Sequence, residues 1–146
     1  YQQYETSAYA KPGFQCQHNL NYWRFGDYLA IGCGAHGKLT FPDGNILRFS
    51  KTKHPKGYLR GEYLYEEKNV EKNDRAFEFF MNRFRLLEAV PKQEFEHYTE
   101  LSQSAVKNQI DLAIQQNYIV ETRDSWQITE HGKLFLNELL ALFLDE

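Results

Sequence analysis

The sequence contains few cysteines and no long apolar run. Its only thiols are Cys16 and Cys33, it has no C-x-x-C pair, and no set of residues has convincing metal-ligand spacing. No segment approaches the roughly 20 apolar residues that a membrane-spanning helix needs. Residues 1–17 lack the apolar stretch of a secretory signal peptide. These absences predict a soluble, cytoplasmic protein whose two thiols stay free.

The chain also lacks a strong charge of either sign. Its formal net charge is -3, so no overall field attracts it to nucleic acid. Methionine occurs once, at Met81, and the first residue is Tyr1, which predicts an excised fragment or a processed product. Hydrophobic residues make up 42% of the chain and aromatic residues 16%, which is enough for a buried core and argues against disorder.

Two unlike parts follow one another along the chain. Residues 1–50 are rich in glycine and aromatics and favour strands, and the turn signature at Pro42–Asn45 predicts a hairpin. Residues 51–72 are interpreted as a connector, with a short helix starting near Pro55 and a solvated charged run at Glu66–Lys68. Residues 73–146 carry helical periodicity, so the predicted fold class is α+β.

Residues 73–146 predict a definite order of elements. A first helix has apolar residues at three- and four-residue steps, a second contains Phe95, and a third covers Ser102–Asn117. Two short strands joined across Arg123 follow, and Thr129 caps a last helix. The stripe predicted to be buried on the first helix is Phe77, Phe80, Met81, Phe84 and Leu87. The last helix is predicted to carry Leu134, Phe135, Leu139, Leu140, Phe143 and Leu144.

This order is that of a winged-helix domain, which raises the alternative of DNA binding. The third helix carries one lysine and one aspartate and therefore no net charge, whereas a helix in a DNA groove brings cations for phosphates and base edges. The wing offers only Arg123, next to Asp124. We therefore expect no nucleic-acid binding and interpret the winged helix as a packing module.

The most distinctive stretch is His18–Trp23, which combines an imidazole, two carboxamides, a phenol and an indole. One interpretation is that the rings fill a core and that His18 is a hydrogen-bonded loop residue. The other is a pocket for a flat aromatic ligand, with stacking faces, amide hydrogen bonds and an imidazole that can ligate a metal. The residues alone leave both interpretations open. The candidate site residues are His18, Asn19, Tyr22 and Trp23.

A second cluster, Gly32–Gly37, lacks the glycine order of a phosphate-binding loop, and a strand rather than a helix is expected after it. Its glycines predict a close approach of the backbone to a ligand or to a neighbouring element. We interpret Cys33 as a small buried thiol, because no acid–base partner accompanies it. The close-approach loop is predicted to comprise Gly32, Gly34, His36 and Gly37.

These motifs resemble the C-terminal part of the oxygen-independent coproporphyrinogen III oxidase-like family of radical-SAM proteins. The resemblance rests on Ser7–Gly13, on the H-N-x-x-Y-W pattern at His18–Trp23 and on Gly32–Gly37, and less specifically on Ile128–Gly132. Within the family, the H-N-x-x-Y-W pattern followed by the glycine run is similar to the haem chaperone branch. It is less similar to the true coproporphyrinogen oxidases.

The resemblance implies a function that the residues alone do not show. It implies that the parent protein binds haem and delivers it to haem-accepting proteins, with His18 as an iron ligand or haem contact and Tyr22 and Trp23 as packing faces. It also implies a [4Fe–4S] cluster and S-adenosylmethionine held by an N-terminal radical-SAM barrel upstream of Tyr1. The fragment alone is then not expected to be an enzyme. The alternative is the C-terminal domain of an oxygen-independent coproporphyrinogen III oxidase in porphyrin biosynthesis.

The same resemblance implies a domain plan. Residues 1–50 would be the terminal strands of the barrel and its closing β segment, and residues 51–72 the connector. Residues 73–146 would be the winged-helix-like domain that covers the barrel mouth. The barrel itself is then a partner of this chain, and its removal is expected to expose apolar surface on residues 1–50.

Overall fold

The computed structural model describes residues 1–144 of the protein. The chain forms two compact units. The main unit contains Tyr1–Phe25 and the chain from Lys72 onward, and the inserted unit contains Gly26–Glu71. The segment predicted as residues 1–50 is therefore divided after Phe25. The segment predicted as a connector, residues 51–72, lies almost wholly in the inserted unit. Part of it forms a strand, Leu64–Asn69, that pairs with the strand Ile46–Lys51 of the same unit.

Helices and strands are interspersed from Gln2 to Ala141, in agreement with the predicted mixed class. The first half contains β1 (Gln2–Glu5), β2 (Ala8–Ala10), α1 (Gln17–Trp23), β3 (His36–Thr40), β4 (Ile46–Lys51), α2 (Pro55–Leu59) and β5 (Leu64–Asn69). The second half contains α3 (Arg75–Arg83), β6 (Val90–Pro91), α4 (Lys92–Thr99), a 3-10 helix (Gln103–Val106), α5 (Lys107–Gln115), β7 (Ile119–Glu121), β8 (Ser125–Ile128), α6 (Glu130–Leu134) and α7 (Leu136–Ala141).

The inserted unit is built on the antiparallel sheet β3-β4-β5. The predicted hairpin is confirmed, with register from His36 opposite Ser50 to Thr40 opposite Ile46. The short helix near Pro55 is also confirmed as α2. Strand β5 was missed, because all its side chains are exposed and its sequence therefore shows no buried alternation. Its pairing with β4 makes it a strand.

Aromatic rings form the core of the main unit. Phe80 stacks on Phe84 and Phe95 and meets Trp126 edge-on, and the ring centroids lie 4.8–5.6 Å apart. Phe79 contacts Phe95 as well, so α3 and α4 share one ring cluster with β8. Such ring pairs stabilise a core by about 0.5–1.5 kcal/mol beyond the area they bury.

The buried face of α3 differs from the predicted stripe. Phe80 and Phe84 are buried as predicted, but Phe77, Met81 and Leu87 are only partly buried. Phe79 and Leu86, which the stripe omitted, are almost fully buried. The stripe was wrong for two reasons: α3 packs against α1, α4 and α7 rather than against one neighbour, and it ends at Arg83, so later residues leave the helical period.

Of the remaining predictions for residues 73–146, the strand pair is confirmed and the bounds of two helices differ. Strands β7 and β8 pair across Arg123 as predicted, and β6 joins them as a third strand in the order β6-β8-β7. The predicted third helix is a 3-10 turn followed by α5. The predicted last helix is two helices that meet at Phe135, and Leu134 is 81% exposed rather than packed.

Two N-terminal features were not predicted. The first is the pairing of β1 with β2 as a hairpin within the strand-favouring residues 1–50, in which Ser7 donates backbone and side-chain hydrogen bonds to Glu5. The His18–Trp23 motif lies within helix α1, where no helix was expected. Within residues 1–144, no helix is both long enough and apolar enough to span a bilayer.

Candidate functional site

Helix α1 displays the four candidate residues on adjacent rows. His18 and Tyr22 are four residues apart, as are Asn19 and Trp23, and such pairs are neighbours on a helix surface. Leu20 is the buried residue of this helix, and it points away from His18, which is exposed. The helix therefore uses one face for packing and presents the imidazole on the other.

The three residues beside His18 are held in place by contacts in the main unit. Asn19 Nδ2 donates to the hydroxyl of Tyr4 at 3.4 Å, which ties α1 to β1. The Tyr22 and Trp23 rings meet edge to face with centroids 4.4 Å apart. The Arg85 guanidinium lies over the Trp23 ring, 4.5 Å from its centroid. Both aromatic faces are thus oriented before any ligand arrives.

The end of α1 is fixed by a charged network. Arg24 donates two hydrogen bonds to the carboxylate of Glu88, at 2.9 and 2.7 Å, and Arg83 donates a third at 2.9 Å. The Arg24 hydrogen bonds lower the pKa of Glu88 more than burial raises it, and Arg83 lowers it further. Phe25, buried at φ 66°, then packs on Phe79. These partners are some 60 residues away in sequence, so no local pattern predicted them.

The second predicted cluster lies in the inserted unit. A Cβ atom on Gly37 would lie 2.3 Å from the Phe49 ring, so this glycine allows the close approach of a neighbouring element. Gly32 and Gly34 adopt positive φ, and the Gly32 N–H donates to the Tyr58 hydroxyl. His36 is exposed at the start of β3. The two predicted clusters thus belong to different compact units.

The expectation of a buried thiol at Cys33 is wrong. Both Cys33 and Cys16 are exposed and free. Cys33 lies in the turn between Gly32 and Gly34, which both adopt positive φ, and its side chain is open to solvent there. Cys33 therefore contributes to no buried site.

The residues of this chain do not fit a [4Fe–4S] cluster. A cluster of the implied kind needs three cysteines, and the whole sequence has two. Residues 1–144 also bring together no group of three or more His, Cys, Asp and Glu side chains. A single exposed imidazole beside oriented aromatic rings can instead provide one axial ligand and a stacking surface for a flat ligand that carries its own metal.

Comparisons with known proteins bear on the family and the fold of this chain. Residues 70–135 match the family model described as HemN C-terminal domain. The solved structure of coproporphyrinogen III oxidase (HemN) from Escherichia coli, a radical SAM enzyme, aligns with a TM-score of 0.55 over 81% of this chain and 28% of that chain. At 14% identity this is a likeness of fold alone. The predicted resemblance to the C-terminal part of the oxygen-independent coproporphyrinogen III oxidase-like family is confirmed.

Two relatives that match over all 146 residues are each named Heme chaperone HemW. The chain is 90% identical over 146 residues to the Heme chaperone HemW of Haemophilus influenzae, and 68% identical over 146 residues to that of Escherichia coli. It spans 38% and 39% of those proteins, respectively. The chain therefore corresponds to well under half of the relatives it matches.

Proposed function

We propose that this chain is the C-terminal portion of a radical-SAM haem chaperone, and that it binds haem on helix α1 with His18 as an axial ligand to the iron. The observation that carries the proposal is the exposed His18 imidazole on a helix whose neighbouring rings, Tyr22 and Trp23, are already oriented. The names of the full-chain relatives support haem as the cargo.

The geometry suits a cargo site better than a permanent one. An imidazole on the outside of a helix is reached without opening the core, so a haem held there stays accessible to a haem-accepting protein. The packing beneath it, through Leu20 and the Arg24–Glu88 pair, keeps the helix rigid. A preorganised but open surface of this kind favours transfer of the cargo over its retention.

The proposal extends to the rest of the parent protein. The [4Fe–4S] cluster and S-adenosylmethionine belong to a radical-SAM barrel outside this chain, since this chain supplies no three-cysteine set. The order α3, α4, α5, β7, β8, α6 supports a winged-helix domain that serves for packing. Lys107 on α5 forms an ion pair with Asp111, so the two charges cancel and this pair does not attract nucleic-acid phosphates. A cytoplasmic location stays a prediction.

The proposal is tested by titrating the intact parent protein with haem and following the Soret absorbance. We expect His18→Ala to weaken binding by at least about tenfold, because an iron ligand is lost while the exposed position tolerates alanine. His54→Ala is the matched control, since His54 is also an exposed histidine and makes no side-chain cap hydrogen bond. Equal affinity of wild type and His18→Ala would refute His18 as a ligand.

One alternative rests on the name of the matching family model, HemN C-terminal domain. The chain would then belong to a coproporphyrinogen III oxidase. The cluster-loaded parent protein should in that case decarboxylate coproporphyrinogen III in the presence of S-adenosylmethionine and a reductant. Absence of product, together with haem binding that depends on His18, would favour the chaperone.

A further inference from the structure

Among residues 1–144, Arg85 is a cation without an anionic partner, and it lies beside the proposed haem site. It lies between α3 and β6, with its guanidinium carbon 4.5 Å from the Trp23 ring centroid. Its Nε is buried and has no hydrogen-bond partner, and the part of the chain that the structure describes places no carboxylate within 4 Å of it. The neighbouring Arg24 and Arg83 are both paired with Glu88.

The backbone around Arg85 is fixed. The Thr6 N–H and the Thr6 hydroxyl both donate to the Arg85 carbonyl, at 2.9 and 3.2 Å. The Leu87 N–H donates to the carbonyl of Tyr4, so the segment is tied to the β1–β2 hairpin at Arg85 and again two residues later. The backbone that carries Arg85 is therefore fixed, and the side chain reaches from it to the Trp23 ring.

We propose that Arg85 binds a carboxylate of the haem carried on α1, so that His18 ligates the iron and Arg85 pairs with a propionate. This proposal rests on the proposed function and adds a second anchor to the same site. An arginine fork matches a carboxylate with two parallel hydrogen bonds, and its planar face stays stacked on the indole meanwhile. A ligand carboxylate would also supply the partner that a partly buried cation otherwise lacks.

The arrangement gives the site a direction. His18 and Tyr22 share one row of α1, the Tyr22 ring meets the Trp23 ring, and the Trp23 ring lies under Arg85. His18 and Arg85 are thus connected through the Tyr22 and Trp23 side chains. A porphyrin whose central iron is held by His18 would extend its propionate edge toward Arg85.

The test compares haem with haem dimethyl ester, in which both propionates are esterified, on the intact parent protein. Wild type should bind haem about tenfold more tightly than the ester, which is the range expected for a charge-assisted hydrogen bond. Arg85→Gln should bind both forms with equal affinity, and Arg85→Lys should restore part of the preference. A loss of packing alone would weaken both ligands together and leave their ratio unchanged.

Arg24→Gln is the control, because Arg24 is the nearby arginine already paired with Glu88, and it should keep the preference for haem. An unchanged ratio in Arg85→Gln, with haem still bound, would overturn the role of Arg85 and leave the proposed function standing. Failure of wild type to bind haem at all would overturn both.

Discussion

Replacing Gly132 by alanine is expected to destabilise the main unit by about 3 kcal/mol, the upper part of the range for overpacking. A Cβ atom on Gly132 would lie 2.0 Å from the carbonyl oxygen of Tyr118 and 2.9 Å from Ile128. That carbonyl cannot retreat easily, because it accepts hydrogen bonds from both the N–H and the hydroxyl of Thr129. The α6 N-cap, where Thr129 accepts from the Gly132 N–H, would be disturbed as well.

The measurement is the urea-unfolding free energy of Gly132→Ala, followed by far-UV circular dichroism. Gly13→Ala is the matched control in the same unit, since nothing lies within 4 Å of its added methyl. Its only expected cost is about 1 kcal/mol for an alanine at positive φ. A Gly132→Ala protein as stable as the Gly13→Ala control would show that β7, β8 and α6 adjust more freely than their hydrogen bonds imply.

Replacing Asp27 by asparagine is expected to cost the inserted unit about 2 kcal/mol at neutral pH, the range for hydrogen bonds to charged groups. The Lys38 side chain is 0% exposed, and its ammonium donates to Asp27 Oδ1 at 2.8 Å. The same carboxylate accepts from the N–H and the hydroxyl of Thr40, both at 2.8 Å. The substitution removes the charge that compensates a buried cation.

This effect should depend on pH. Burial raises the pKa of Asp27, but hydrogen bonds from Lys38 and Thr40 outweigh it and hold the pKa below its ordinary value of 3.8. A depressed pKa means that the ionised carboxylate stabilises the fold above 3.8 and that this contribution is lost as pH falls through the lower, folded-state value.

Urea unfolding of wild type and Asp27→Asn at pH 7 and at progressively lower pH measures this loss. The difference in stability should be constant down to about pH 4 and shrink below it. Thr52→Val serves as a control in the same unit, since the Thr52 hydroxyl donates to the backbone carbonyl of Glu62, and loss of this neutral hydrogen bond should change stability equally at all these pH values. A difference between wild type and Asp27→Asn that does not change with pH would contradict the assignment.

The sequence predicted those parts of the fold whose signals are local. The Pro42–Asn45 turn, the Thr129 cap and the strands around Arg123 follow from residues within a few positions of one another. Strand β5 has no such signal, because it is exposed on every residue and exists through its pairing with β4. Helix α1 was missed because Leu20 is its single buried position and the other residues are mostly polar or aromatic, so the segment shows no helical periodicity of apolar residues.

The candidate site was predicted as a set of residue types and not as a geometry. The motif His18–Trp23 stood out because its side chains are costly to bury, and the exposure of His18 agrees with that reasoning. No local sequence pattern indicated Arg85 as a site residue. Its contact with Trp23 joins residues 62 positions apart and forms only when α1 packs against α3. Tertiary packing therefore decides which cation faces the motif.

The most direct test of haem ligation by His18 is chemical rescue. In the intact parent protein, His18→Ala should shift the Soret band of bound ferric haem, and added imidazole should restore the wild-type spectrum by occupying the vacated ligand position. His54→Ala should show neither the shift nor the rescue. A His18→Ala spectrum identical to that of wild type, unchanged by imidazole, would contradict the claim that helix α1 supplies the iron ligand.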